Sequence, residues 1–329
     1  MAGDREDIAR VTGDFTEVAG DRIIAGYVFG SRLSVSAPAA DSALDLVLVV
    51  DDYRLFYEEI RRAGLVSRSP RLLAALNRRL PPNVLHYLPH EVRVGAEPTA
   101  TGAARGRNAK IVVITEPDLA AALGRGARDH FMLGRFSQRL AIVAVKGEAE
   151  GTRALAYHAV AVRRTLDWAG PYMEARFSPA GFSRRMLEVS YAAEIRPESP
   201  LRAGEVHEAQ RAFFEDVYGE LFCEEEARGR LVDDGGGMYR FAEPPGPGER
   251  AARDAYFRRS RRRATLRWLK YMITFEGWAD YIVRKIERRT GRPVRLTALE
   301  RRAPLLFGLP RAIQVLATLR RDARRAGVE

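Results

Sequence analysis

Residues Tyr27–Asp52, YVFGSRLSVSAPAADSALDLVLVVDD, constrain this chain more than any other stretch. An apolar run, Ile23–Phe29, ends in Gly30-Ser31-Arg32, and a connector of small residues with Pro38 follows. A second run, Leu44–Val50, carries Asp45 inside it and is closed by Asp51 and Asp52. Short apolar runs bounded by Gly, Ser and Pro read as buried strands. A carboxylate inside such a strand is costly unless it is paired or bound to a metal. Gly30 lets an anion approach its backbone N–H closely, and Ser31 adds a hydroxyl donor at the same turn.

A phosphate cradle followed about a dozen residues later by a strand carboxylate matches the nucleotidyltransferase pattern, where Mg²⁺ bridges carboxylate and triphosphate. The alternative is an ordinary Gly-Ser turn, with Asp45 at a strand start bonded to a loop. The second acid usual two residues further on is absent, because Val47 stands there. Asp51 shares the parity of Asp45 but lies about 20 Å along the strand at a rise of roughly 3.3 Å per residue, too far to share one metal.

The 329 residues suffice for two ordinary domains. A composition 46% hydrophobic and 29% charged is that of a globular protein. No apolar stretch reaches about 18 residues, so no transmembrane helix is expected. The acidic start MAGDREDIAR lacks the apolar segment of a secretory signal and reads poorly as a transit peptide. The single cysteine, Cys223, excludes an internal disulfide framework and fits a reducing compartment. The net charge of +11 implies anionic company: nucleic acid, an anionic membrane or phosphorylated substrates.

Along the chain, helices are expected over Asp4–Gly20, Tyr53–Ala63 and Pro70–Leu80, and strands over Val84–Tyr87, Glu91–Gly95 and Lys110–Thr115, with Leu140–Val145 a further short apolar run. A helix starting at Glu116-Pro117-Asp118 is expected to run past Gly124 and Gly126 toward Leu133. From about Ala149 the periodicity turns helical, over Ala154–Trp168, Phe182–Ala193 and Glu205–Phe222. The Gly- and Pro-rich Asp233–Gly248 reads as a linker. The basic run Arg258–Arg263 precedes an amphipathic segment, Leu266–Ile286, with Arg267, Trp268, Lys270 and Trp278 on or around its apolar face. Basic helices with Trp and Tyr suggest a membrane-surface element; a helix packed on its own domain is the alternative. A second apolar stretch covers Pro304–Leu319.

Several of these pieces, in order, resemble the mitochondrial translocator assembly and maintenance family, the soluble-type phosphatidate cytidylyltransferases, in a bacterial-type form. The resemblance rests on Phe29-Gly30-Ser31-Arg32, Leu44-Asp45 and Val50-Asp51-Asp52, then Gly106-Arg107 with Lys110–Ile114, Asp118-Leu119, Leu133-Gly134-Arg135-Phe136 and Val189-Ser190-Tyr191. It spans about residues 20–225. Arg32 replaces the family's second glycine, and Ile111-Val112 replaces its Tyr-Gly.

The resemblance implies an α/β (α+β) fold: a nucleotidyltransferase domain with a mixed sheet over residues 1–148, and an all-helical domain over 149–232. A flexible linker over 233–250 and a basic amphipathic tail over 251–329 are read from composition and periodicity. The implied reaction joins CTP to phosphatidic acid at an anionic membrane surface, giving CDP-diacylglycerol and pyrophosphate. It requires Mg²⁺ or another divalent cation. The expected location is cytoplasmic, peripheral to the inner membrane face, and nucleic acid is not an expected partner. Asp45 is expected to hold the metal, with Glu91 as a second ligand. Gly30, Ser31, Arg32 and Lys110 would bind the nucleotide. Asp45, Lys110 and Arg135 would carry catalysis, and Arg139, Arg267, Trp268, Lys270 and Trp278 would meet the lipid. A phosphomonoester is already largely ionised near pH 7, so such an acceptor needs cations rather than a general base. A hydroxyl acceptor, on tRNA or a small molecule, is the competing enzymatic reading and requires more carboxylates near Asp45. A non-enzymatic membrane or nucleic-acid binding protein with a degenerate site is the third. Asp118 reads as an early-helix acid, and the histidines show no metal-ligand spacing.

Overall fold

In the computed structural model, residues 2–30, 43–87, 109–193 and 200–275 are described, with isolated positions 33, 283, 287, 296 and 297. The chain divides into two compact units, Met1–Arg267 and Trp268–Glu329. In the first, helix α1 (Ala2–Ala19) leads into strand β1 (Ile23–Phe29), and strand β2 (Leu44–Val50) pairs antiparallel with it. Helices α2 (Tyr53–Arg62) and α3 (Pro70–Arg79) follow, then strands β3 (Asn83–Tyr87) and β4 (Ala109–Thr115). Helices α4 (Glu116–Leu123) and α5 (Phe131–Phe136) precede strand β5 (Leu140–Val145). The five strands form one mixed sheet in the order β3-β4-β2-β1-β5, with β2 and β4 parallel and the other neighbours antiparallel.

Alternation along the strands gives the sheet two covered faces. Leu44, Leu46, Leu48 and Val50 of β2 point with Ile111 and Val113 of β4 into a core closed by Phe15 of α1, Phe56, Tyr57 and Ile60 of α2, and Leu73 of α3. The opposite face carries Tyr27, whose ring meets Phe136 edge-on at 4.9 Å and whose hydroxyl donates to the Ala154 carbonyl at 3.2 Å. This second face is why β2 is apolar at nearly every position instead of alternating.

The helical part comprises α6 (Glu148–Arg163), α7 (Thr165–Ala169), α8 (Pro179–Ala192), α9 (Pro200–Ala209) and α10 (Arg211–Ala227). Its core is aromatic: Phe177, Phe182, Phe214, Tyr218 and Phe222 pack ring on ring at 5.4–5.8 Å. Four expectations change here. The helix from Glu116 stops at Gly124 rather than continuing, and Phe131 starts a separate one. The helix expected over Glu205–Phe222 is divided at Gln210. The supposed linker contains a hairpin, β6 (Leu231–Asp233) with β7 (Tyr239–Phe241). Gly235, Gly236 and Gly237 turn it with φ of 80°, 66° and 73°, which explains the glycine run without flexibility. Phe241 anchors it against Gly170, where a Cβ would come within 2.9 Å of the ring. The last helix, α11 (Pro247–Thr274), starts earlier than expected and takes in the whole Arg258–Arg263 run. Among the described residues no helix is long and apolar enough to cross a membrane.

The α5 segment is fixed from several sides. A Cβ at Gly134 would lie 2.7 Å from Ser190 Oγ, so two motif residues distant in sequence pack against each other. His130, just before α5, is 5% exposed; its Nε2 pairs with Ser190 Oγ at 3.0 Å and its ring meets Trp168 at 4.4 Å. Burial holds its imidazole far below the usual range, at about 3, against the opposing pull of Asp129.

The folded chain therefore keeps His130 neutral, whereas the unfolded chain protonates it near 6.5. The unfolded state binds the extra proton, so stability should fall as pH drops from about 7 toward 4. Thermal denaturation at pH 7 and pH 5 should show a clear drop in Tm, and His130→Gln should show a smaller one. His158 and His207, both also depressed mainly by burial, act in the same direction. Equal pH slopes in the two proteins would exclude His130 as a source.

Candidate active site

Strand register builds the site. Leu140, Phe29, Asp45, Lys110 and His86 form one row across all five strands, β5 through β3. Directly opposed residues project to the same face, so these side chains share the face that α5 covers. Lys110 Nζ lies 3.5 Å from Asp45 Oδ1, with both side chains about a third exposed. Asp45 is thus half-buried, not sunk in the strand core: it is the second residue of β2, at the open end of the sheet. That position answers how an acid survives in this strand. One carboxylate oxygen meets an ammonium, and water reaches the pair.

Gly30 sits directly after β1 with φ +89°, a conformation that strongly favours glycine. Its carbonyl accepts from the Leu33 N–H at 3.1 Å. A Cβ placed on Gly30 would lie 3.0 Å from Asp45 Oδ2. The bend and the carboxylate are therefore in contact, and the space beside Oδ2 exists because residue 30 has no side chain.

Arg135, on α5, reaches the same end of the sheet. Its guanidinium carbon lies 3.7 Å from the Phe131 ring centroid and 5.6 Å from that of Phe29, the cross-strand partner of Asp45. Its Nη1 donates to the Phe131 carbonyl at 2.9 Å. Cation–π contact with two rings holds the head group in one region of space.

Other expected site residues have different places. Ser31, Arg32, Glu91 and Trp278 lie outside the described residues, as do the expected strand Glu91–Gly95 and the stretch Pro304–Leu319. Arg139 is exposed, and its backbone N–H is held by Gln210 Oε1 at 2.9 Å. Arg267 does not face lipid: its side chain is 2% exposed and paired with Asp129 at 3.0 Å. Lys270 is also buried rather than presented, with its ammonium 5.6 Å from the Tyr271 ring, and Trp268 is half-buried. The acids closing β2 are structural. Asp51 pairs with Arg22 at 3.1 Å, and Asp52 caps α2 by accepting from the Arg54 and Leu55 N–H groups. Asp118 accepts from the Tyr53 hydroxyl at 2.7 Å and from Thr115 Oγ1 at 3.0 Å, in keeping with the early-helix reading.

His86 is the residue that spacing in the sequence did not single out. Its place beside Lys110 follows from strand pairing, and parity along β3 was the one signal that could have raised it. As a metal site, the row offers one hard oxygen donor, Asp45, and among the described residues no group of three His, Cys, Asp or Glu side chains converges. One carboxylate fits Mg²⁺ shared with a polyphosphate, because Mg²⁺ characteristically takes one or two carboxylates with substrate phosphates and water.

Gly30→Ala should lower stability by about 1–2 kcal/mol from the left-handed backbone alone. Chemical denaturation reads this directly, and an unchanged midpoint would show that the bend does not require glycine. No family model matches this chain, and no curated protein matches it.

Proposed function

We propose that this chain is a nucleotidyltransferase with a phosphate acceptor, joining CTP to phosphatidic acid to give CDP-diacylglycerol and pyrophosphate. The observation that carries the reading is the contact of one carboxylate, Asp45, with a left-handed glycine bend on one side and Lys110 on the other. The bend gives a triphosphate close access to backbone, and Lys110 and Arg135 supply positive charge on the same face. CTP and the lipid acceptor come from the motif resemblance described above. Exposed Arg139, and exposed Arg258, Arg259 and Arg262 on α11, suit an anionic membrane surface at the cytoplasmic face.

The residues divide the work by charge. In the transfer, an acceptor phosphate oxygen forms a bond to the α-phosphorus while the α–β bridging P–O bond breaks, and its electron pair leaves with pyrophosphate. The nucleophile is already an anion, so no proton has to be removed. A row with one carboxylate, itself paired with Lys110, suits that requirement better than it suits a hydroxyl acceptor. Lys110 would shift from Asp45 toward the incoming phosphates, and Asp45 would turn its oxygens to the metal. Arg135, held over Phe29, would oppose the negative charge gathering on the departing group. Mg²⁺, when bound, neutralises the triphosphate and screens the approach of two anions.

With CTP, phosphatidic acid in mixed micelles and Mg²⁺, the purified protein should release pyrophosphate and form CDP-diacylglycerol. Asp45→Ala should abolish this, and Lys110→Met should lower turnover by about 100-fold, the scale of losing one charge-stabilising donor. Undiminished turnover in Asp45→Ala would remove that carboxylate, and the reading with it.

A further inference from the structure

Arg267 is a charged side chain buried to 2% exposure, far from Asp45 in sequence, and the transfer described above gives it no task. Its surroundings are closely ordered. Nη1 and Nη2 grip Asp129 Oδ2 and Oδ1 at 3.0 and 3.1 Å, and Nη1 also donates to the Pro81 carbonyl at 3.0 Å. Its guanidinium carbon lies 4.6 Å from the centroid of the Phe131 ring, the ring that carries Arg135 at 3.7 Å. Asp129 takes Arg263 Nε at 2.9 Å as well, and its Oδ1 accepts the Phe131 N–H at 3.1 Å. The His130 N–H donates to Ser260 Oγ at 2.9 Å.

Ser260, Arg263 and Arg267 stand at i, i+3 and i+7, one face of α11. All three close on the start of α5: Asp129, His130 and Phe131. A buried ion pair of this kind is a poor source of stability, because well-packed apolar side chains of similar volume commonly do as well. What it provides is a fixed planar cation beside one particular ring.

We infer that Phe131 and Arg267 are positioning residues for Arg135, through which α11 sets the geometry of the candidate site. Asp129 fixes the backbone of Phe131, and Arg267 fixes its ring. Phe131 then carries Arg135 on its ring and its carbonyl, over Phe29 and toward the Asp45 row. The inference rests on the reading of Asp45 and Arg135 as parts of one site, and its test has an arm independent of turnover.

The first arm is spectroscopic. The Nε–Hε resonance of Arg135, identified by its loss in Arg135→Gln, should show an upfield ring-current shift in the native protein. It should move toward the solvent-exposed position in Phe131→Leu and in Arg267→Lys. Lysine keeps the charge but not the planar two-pronged grip, whereas Phe131→Tyr keeps the ring and should leave the resonance in place. The second arm is a double-mutant cycle on CTP turnover. Phe131→Leu should lower kcat/KM by about 10-fold in the native background and less than about 2-fold when Arg135 is already Gln, the coupling expected of groups acting as a unit. A general loss of packing would give the same factor in both backgrounds, and that result would overturn the inference. So would an Arg135 resonance that ignores Phe131→Leu and Arg267→Lys in folded protein. If the native protein turns over no CTP, the proposed function fails while the resonance arm still decides whether Arg135 is held in this way.

Discussion

The parallel pairing of β2 with β4 is the constraint on which the site depends. It sets Asp45 opposite Lys110 and brings β3, with His86, alongside. A slip of one residue would turn every side chain of β2 to the other face. Asp45 would then enter the core formed with Phe56, Tyr57 and Leu73, where no cation meets it among the residues of that core. The register is secured because both faces of β2 are covered, so no slipped pairing keeps the charge at the open end of the sheet. The half-burial of Asp45 follows from the same fact: one position further along the strand on that face, Val47 is fully buried.

The second organising interaction is the buried grip of Arg267 on Asp129. It joins residues 138 apart and ties the long basic helix α11 to the start of α5. Among the described residues other arginine pairs, such as Arg54 with Glu58 and Arg185 with Glu188, lie at the surface, where such contacts contribute little to stability. This one is enclosed, shared with Arg263 and directed at a ring. Aromatic packing surrounds it: Trp168 and Phe257 both meet His130, which precedes the gripped ring. The α5 segment is only six residues long and too short to hold its shape alone. Its geometry is borrowed from α8 through Ser190 and from α11.

Strands and helices of the first half were legible because their signals are local. Apolar runs bounded by turn residues gave β1, β2, β4 and β5 close to their observed ends. Proline starts marked α3 and α4. Errors arose where a local signal had two meanings. Three glycines in succession read as a linker, yet the hairpin needs them for left-handed backbone while Phe241 holds it in place. Gly124 read as tolerated inside a helix, but it ends one. Arginines and aromatics at helical spacing read as a lipid-facing stripe, although Arg267 serves the interior. Composition does not say which side of a helix finds a carboxylate.

By itself the sequence determined the mixed α/β character, the glycine bend before a strand acid, and the basic balance of the whole chain. Those properties depend on backbone preferences and short-range periodicity, which each residue expresses with its near neighbours. Tertiary structure alone decided that Lys110 stands beside Asp45, that His86 joins their row, that Arg135 reaches Phe29, and that Arg267 is buried. Each of these joins elements separated by many residues, and pairing across a sheet or closure of a buried ion pair is chosen by the burial of the whole unit. No window of sequence contains both partners.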